Sequence, residues 1–221
     1  MRPQFAGLLA RLFGGANGNG TALRAARWVV VDCETSGLDA ARDRLLSVGA
    51  VTVRGGRIDL GASFSAVLRQ DAPSEPANIL VHGIGGEAQL SGRPAADALR
   101  EFSAFLGDGL PVAFHARFDA AVLRRAMAAT GLQAPRAWLD AALLAPALFP
   151  GAGPAKGERR ALDDWLAEFG IAHLARHDAL ADAYATAQLF LVLLSEAERH
   201  GAGTVDRLRR LEQSGRWVAS S

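Results

Sequence analysis

Apolar residues run almost without interruption from Trp28 to Cys33, and the run ends in acidic residues. A short apolar run of this kind is typical of a central strand that is buried on both faces. Two further strands are predicted over residues 45–53 and 57–68, and Gly55 and Gly56 between them supply the positive φ angles of a tight hairpin. The chain is therefore predicted to open as an antiparallel three-strand meander.

The periodicity of the apolar positions changes after the meander. Apolar residues recur at helical spacing over residues 94–106, and a short buried strand over 111–114 leads into a helix over 117–130 that Gly131 ends. Further helices are predicted over 162–169, 179–196 and 206–213. Strands that are followed by a strand-helix pair and then mostly by helices predict an α/β fold.

The length of 221 residues suits one well-buried α/β domain with extensions. Gly and Asn dominate residues 14–20, which predicts an N-terminal arm and flexible linker over residues 1–23. The main domain is predicted over residues 24–200, and a helical extension over 201–221. No segment reaches about 18 uninterrupted apolar residues, so no membrane span is expected.

The charge and cysteine content narrow the classes of function. A formal net charge of +1 gives no global basic field, so a phosphate substrate would have to be attracted by local charge or by bound metal. Cys33 is the only cysteine, which excludes an internal disulfide and favours a reducing compartment. We therefore expect a cytoplasmic protein.

Acidic residues stand at the ends of the predicted buried strands. Asp32 and Glu34 are two positions apart, so both carboxylates should point to one face of the strand while Cys33 points to the other. Two like charges at such a place repel each other unless a cation neutralises them, although two solvated acids at a strand end are also common. Asp119 lies in the first turn of the next helix, where helix capping alone could explain it.

His177 and Asp182 stand five positions apart at the start of the last long helix, where both could face one cleft. Taken alone, the pair could equally be a helix cap and a surface charge. Three separated segments thus each deliver an acid at a strand end or helix start, and the last segment adds a histidine. Joint occurrence favours a shared site more strongly than any one of these residues does.

Three segments resemble the ordered motifs of the DEDDh exonucleases, the group that includes the proofreading epsilon subunit of bacterial replicative polymerase and ribonuclease T. They are VDCETSGL at 31–38, FHARFDA at 114–120 and HDALADA at 177–183, and VHGI at 81–84 resembles a further segment of that group. The resemblance implies a 3′→5′ exonuclease with a ribonuclease H-like fold, whose central mixed five-stranded sheet is flanked by helices. His115 departs from the pattern because these proteins usually carry Asn there.

The resemblance also implies roles for individual residues. Two divalent cations, Mg²⁺ or Mn²⁺, would be held by the four acids Asp32, Glu34, Asp119 and Asp182. His177 would act as the general base that takes a proton from the attacking water.

The substrate contacts implied by the resemblance involve seven residues. Backbone N–H groups in the turn Thr35, Ser36 and Gly37 would bind the terminal 3′ hydroxyl or phosphate. Leu38 would wedge against the last base, although ordinary turn packing is an alternative. The remaining candidates are Phe118 beside the terminal nucleotide or in the core, His82 on a phosphate or sugar or as a helix cap, and His115 as an altered substrate contact or as support of the second motif.

The polymer that is cut is left open by the sequence. Single-stranded DNA with a free 3′ end is favoured, because the first motif and VHGI look more like the epsilon type. One alternative is a 3′→5′ exoribonuclease that trims RNA ends, since the contacts to the 2′ hydroxyl are not visible in the sequence. A second alternative is an inactive nuclease fold kept as a binding module, and a polymerase or a second copy of the chain stays open as partner.

Overall fold

The computed structural model describes residues 20–150, 152, 160–173 and 175–218. Most of the arm and linker predicted over residues 1–23 therefore lies outside the described residues.

A five-stranded sheet in the order β3-β2-β1-β4-β5 forms the centre of the described chain. Its strands are β1 Trp28–Thr35, β2 Leu45–Arg54, β3 Arg57–Val67, β4 Leu110–Ala113 and β5 Leu139–Asp140. The first three strands pair antiparallel, whereas β4 lies parallel to β1 and β5 parallel to β4. The predicted mixed α/β sheet that opens with a three-strand meander is confirmed.

Helices flank the sheet. The structure describes α1 Pro76–His82, α2 Gly86–Ser91, α3 Ala95–Leu106, α4 Ala116–Ala129, α5 Ala141–Leu148, α6 Leu162–Glu168, α7 Ala179–Arg199 and α8 Val205–Val218. The predicted helices correspond to α3, α4, α6, α7 and α8, and α8 runs five residues further than expected. The helices α1, α2 and α5 and the two-residue strand β5 were not predicted.

The two faces of β1 belong to two different apolar clusters. Trp28 and Val30 pack with residues of α7 and α8, and the rings of Trp28 and Phe190 meet edge to face at 5.2 Å. Val29 and Val31 pack on the opposite face with residues of α3 and α4. Because side chains alternate along a strand, the acids that follow at even positions extend the α7 face.

Helix α7 is long and apolar enough to cross a bilayer, with 21 residues and a mean hydropathy of 1.2. Its apolar residues, however, supply much of the core cluster that includes Trp28. Buried Asp182 and Glu196 also interrupt its apolar surface. Its composition is thus accounted for by packing inside the domain.

Helix α8 joins the same core as β1. Leu208 and Leu211 are fully buried in the cluster that also holds Trp28 and Leu23. The backbone N–H of Val205 donates to the carbonyl of Thr21, which ties the start of α8 to the chain before β1.

The start of α7 lies directly against β2 at Gly49. A Cβ at this position would come within 2.2 Å of the carbonyl carbon of Ala179 and 2.3 Å of the backbone nitrogen of Leu180. Only glycine lets the helix approach the strand this closely.

We expect Gly49→Ala to destabilise the protein by roughly 1–3 kcal/mol, because backbone atoms cannot yield as a flexible side chain would. Thermal unfolding followed by circular dichroism should show a melting temperature lower by roughly 2–4 °C for each kcal/mol lost. Gly61→Ala on β3 is the matched control, since its Cβ would meet only a carboxylate oxygen of Asp59 at 3.4 Å. Equal melting temperatures for the two variants would contradict the close approach.

Candidate active site

Strand β1 extends beyond its parallel neighbour and carries two acids there. Its pairing with β4 ends at Val30, whereas its pairing with β2 continues past Asp32 and Glu34 to an irregularity before Thr35. Glu34 is buried and Asp32 half-buried. The end of β4 thus leaves room beside both carboxylates for groups from other elements.

Asp119 lies beside Asp32 and Glu34 but comes from α4, which packs on the face of the sheet opposite to α7. It lies in the first turn of that helix and is only 4% exposed. Burial raises the pKa of Asp119, whereas its own backbone N–H and the thiol and backbone N–H of Cys33 favour the charged carboxylate. Asp119 is therefore held against the strand that carries Asp32 and Glu34.

Asp182 and His177 come from the start of α7. Asp178 caps the helix by accepting the N–H of Ala181 at 2.9 Å, which leaves Asp182 one turn further in and buried. A nitrogen of His177 and carboxylate oxygens of Asp182 and Glu34 all lie within 4.8 Å of one another. Half-buried His177 has a left-handed backbone, with φ of 60°.

The acids strongly disfavour one another's charge. Burial, followed by repulsion from Asp119 and Asp182, raises the pKa of Asp32 well above its usual range. Burial and repulsion from Asp182 raise the pKa of Glu34 to about 7, and burial raises that of Asp119 to about 7. The pKa of Asp182 is also raised by burial, although nearby His173 opposes the shift. Such a set of hard oxygen donors fits divalent cations, which would favour the charged forms.

These pKa shifts predict how the stability of the metal-free protein depends on pH. Glu34 and Asp119 titrate at about 7 in the folded protein, against 4.5 and 3.8 ordinarily. Their contribution to the free energy of unfolding is therefore fully present below the ordinary pKa values and is lost as the pH rises through 7. In EDTA, we expect the melting temperature to fall across this range.

Divalent cations bind the deprotonated acids, so Mg²⁺ or Mn²⁺ should raise the melting temperature more at about pH 8 than at about pH 5. Calorimetric unfolding with and without metal at both pH values measures the difference. A metal-induced shift of the same size at both values would mean that the cation binds elsewhere.

A pocket lies beside the acids, on the side of β4 and α4. Its lining includes Asp32, Cys33, Leu38, Phe114, His115, Phe118 and Asp119. Leu38 is 93% exposed, so ordinary turn packing does not explain it. Phe118 is half-buried and packs on the apolar cluster while it also lines the pocket. The structure thus brings these two side chains to the edge of the acidic centre.

The turn after β1 is held mostly by the protein itself. The N–H of Ser36 donates to the carbonyl of Arg44 at 3.0 Å, and the Ser36 hydroxyl donates to Asp43. The Thr35 hydroxyl donates to the Gly37 carbonyl at 2.5 Å. A substrate contact through the N–H of Ser36 is therefore not supported, because this group already has a partner.

His82 lies in the core of the α1–α2 region and not in the pocket lining. It is 3% exposed, its Nε2 lies 3.0 Å from the hydroxyl of Ser74, and its Nδ1 accepts the N–H of Ile84. Burial lowers its pKa. Both ring nitrogens are used to hold the end of α1, so the structure does not support the expected phosphate or sugar contact.

His115 occupies a backbone conformation that explains the usual choice of Asn. It is the N-cap of α4 with φ of 65° and ψ of 45°, a left-handed conformation that Asn and His adopt more readily than most residues. Its N–H donates to Asp140 at 3.1 Å, and its exposed ring lines the pocket. The substitution therefore preserves the turn while it changes the side chain presented to the pocket.

The sequence analysis missed three residues around the site. Asp140 accepts the N–H groups of His115 and Ala142, and its place before an apolar helix was an available capping signal. His173 contacts Asp182, and Asp163 contacts His173. No spacing rule connects the last two residues with the acids, because their contact depends on how α6 packs beside α7.

Comparison with known proteins agrees with this architecture. A model of the RNase T family, described as an exonuclease, matches residues 29–190. A DNA polymerase III subunit epsilon-like protein of Rhodobacter capsulatus is 35% identical over 181 residues, which cover 80% of this chain and 25% of that protein. A PolC-type DNA polymerase III of Thermotoga maritima is 30% identical over 190 residues, or 86% of this chain and 13% of that protein. The chain thus spans a quarter or less of these curated relatives.

Solved structures share the fold. The zinc-bound complex of E. coli ExoI with single-stranded DNA superposes with a TM-score of 0.68 at 20% identity, over 79% of this chain and 42% of that one. Exonuclease X in complex with 5′ overhanging duplex DNA gives a TM-score of 0.62 at 24% identity, over 82% of this chain and 99% of that one. The family resemblance inferred from the motifs is confirmed, and the chain belongs to the RNase T family of exonucleases.

Proposed function

We propose that this protein removes nucleotides from the single-stranded 3′ end of DNA, with a divalent cation site formed by Asp32, Glu34, Asp119 and Asp182. The observation that carries the proposal is the convergence of four buried or half-buried acids from β1, α4 and α7 beside one histidine. Repulsion among these acids would make an empty site unfavourable at neutral pH, which supports cation binding.

Divalent cations, two in this proposal and either Mg²⁺ or Mn²⁺, would supply charge neutralisation at the scissile phosphate and stabilise the attacking and leaving oxygens. The residues fit this task because all four acids offer hard oxygen ligands. Asp32 is the best candidate to serve both ions, since its charge interacts with those of Asp119, Asp182 and Glu34.

His177 would act as the general base. Its imidazole takes a proton from the water that attacks phosphorus, and the 3′ oxygen of the next nucleotide leaves. The position is suitable because a ring nitrogen lies within 4.8 Å of the carboxylates of Glu34 and Asp182, at the half-buried edge of the site. The left-handed backbone of His177 is a strained conformation of the kind often retained at functional sites.

The pocket beside the acids would receive the terminal nucleotide. Exposed Leu38 would contact the last base, Phe118 would pack beside the nucleotide, and His115 would contact it from the third side. Thr35 and Gly37 would contribute the backbone of the turn next to the acids.

DNA is favoured over RNA as the substrate. The related structures include ExoI with single-stranded DNA and with dT13 and dA16 oligonucleotides, and the curated relatives are named for DNA polymerase III. An exoribonuclease is the second candidate, because the exposed ring of His115 in the pocket lining carries nitrogens that would hydrogen-bond a 2′ hydroxyl. A polymerase partner is suggested only by the names of the relatives.

End-labelled oligonucleotides test the proposal directly. Purified protein with Mg²⁺ or Mn²⁺ should shorten 5′-labelled single-stranded DNA stepwise from the 3′ end, release nucleoside monophosphates, and stop when EDTA is added. The same oligonucleotide with a blocked 3′ terminus is the control for direction. Faster shortening of matched RNA would establish the exoribonuclease, and intact ends with both polymers and both metals would leave only the inactive binding module.

A further inference from the structure

A chain of charged and polar side chains connects helix α6 with the acid on α7. Nε2 of His173 lies 2.5 Å from Oδ1 of Asp182, and Nδ1 of the same ring lies 3.1 Å from Oδ1 of Asp163. Nη1 of Arg176 lies 2.8 Å from the other carboxylate oxygen of Asp163. Asp163 thus contacts both His173 and Arg176, and Arg176 immediately precedes His177.

His173 contacts one of the four acids of the site, Asp182, but is not itself among the proposed cation ligands. The side chains of His173 and Asp182 are each only 12% exposed, so water competes little for their contact. Nε2 of His173 is buried and has no regularly aligned hydrogen bond in the described structure, although it closely approaches the carboxylate. The backbone N–H of His177 also favours the charged form of the Asp182 carboxylate. The direct side-chain contact with this carboxylate therefore comes from His173.

We propose that His173, anchored by Asp163, is a positioning residue that orients Asp182 for cation binding and fixes the loop that carries His177. The inference rests on the proposed function, because it assigns Asp182 to the cation site. Some residues contact a metal-binding carboxylate without binding the metal themselves. Their loss commonly lowers metal affinity or activity by about 10–100-fold. Asp163 would act indirectly, because it contacts His173 and Arg176 rather than Asp182.

Calorimetric titration of the full chain with Mn²⁺ tests the orientation of Asp182. We expect His173→Ala to weaken Mn²⁺ binding by about 10–100-fold. His173→Gln should recover part of the affinity, because its amide can still donate to the carboxylate. Asp164→Asn is the matched control on the same turn of α6, since its side chain accepts the N–H of Ala161 and an amide oxygen can replace it. Saturating Mn²⁺ should restore much of the exonuclease rate of His173→Gln.

Trypsin cleavage after Arg176 in EDTA tests the loop without metal or activity. The contact with Asp163 restrains Arg176 in the metal-free protein, so Asp163→Asn should be cut there several-fold faster than the wild type or Asp164→Asn. Mass spectrometry identifies the cleavage site, and circular dichroism confirms that each variant is folded. If His173→Ala fails to fold, His173→Gln and Asp163→Asn still give both readouts.

The results separate this inference from the proposed function. Wild-type Mn²⁺ affinity in His173→Ala, together with lost affinity in Asp182→Asn, would overturn the role of His173 and leave the cation site intact. Unchanged cleavage after Arg176 in Asp163→Asn would overturn the role of the anchor. A wild-type protein that binds Mn²⁺ but shortens neither DNA nor RNA would overturn the proposed function, while weaker binding by His173→Ala would still support the positioning role.

Discussion

Replacement of Asp32 by asparagine is expected to abolish exonuclease activity and, at the same time, to stabilise the metal-free protein. Asparagine keeps the shape of the side chain but removes a charge that burial and four neighbouring acids disfavour. The four-acid centre would lose its central ligand, and we expect the rate to fall by at least about a thousandfold, comparable with the loss of other groups that stabilise transition-state charge. In EDTA at neutral pH, the melting temperature should rise.

Rates on a 5′-labelled oligonucleotide and thermal unfolding with and without Mg²⁺ measure the two effects. Asp39→Asn is the control, because Asp39 lies in the loop after β1 and its side chain is 51% exposed. That variant should keep both the rate and the metal-induced rise in melting temperature, whereas Asp32→Asn should lose much of the rise. A destabilised Asp32→Asn in EDTA would mean that Asp32 has stabilising partners which outweigh the repulsion.

Replacement of His177 by asparagine should lower kcat by about 100–10,000-fold, the usual contribution of a general base. Asn adopts the left-handed backbone that His177 has, so the variant should fold as well as the wild type. Mn²⁺ affinity should change little, because the four acids remain. Steady-state rates and calorimetric titration separate turnover from metal binding.

His200→Asn is the histidine control for this prediction, since His200 lies at the other end of α7 and pairs with Glu196 at 2.8 Å. Its kcat should match that of the wild type. If His177→Asn keeps the wild-type turnover, His177 is not the general base. A large loss of Mn²⁺ affinity would instead make His177 a metal ligand, which its approach to Glu34 and Asp182 permits sterically.

The fold could be predicted where local pattern and burial agree. The apolar run of β1 and the glycine pair before β3 mark the meander because each strand has its own signal in the sequence. Helix α1 carries no such signal, since Leu80 and Val81 are exposed and only His82 is buried. Strand β5 has two residues and exists because β4 pairs with it. Short elements of this kind depend on tertiary contacts.

The candidate site shows the same division. The period of two along β1 is enough to predict that Asp32 and Glu34 share a face, whereas the approach of Asp119 and Asp182 depends on α4 and α7 packing at one end of the sheet. The N–H of Ser36 and the Nε2 of His82 have their partners elsewhere in the chain, at Arg44 and Ser74, so these two contacts could not be read from neighbouring residues. The catalytic roles of the acids and His177 stay predictions.

The acids of the centre are far apart in the chain, at positions 32, 119 and 182. During synthesis, β1 and α4 leave the ribosome long before the start of α7, and until then the emerging chain lacks Asp182 and His177. A complete set of acids cannot form until α7 has docked against Gly49 of β2. If these acids bind cations as proposed, the nascent protein gains its metal-dependent activity only with this late folding step.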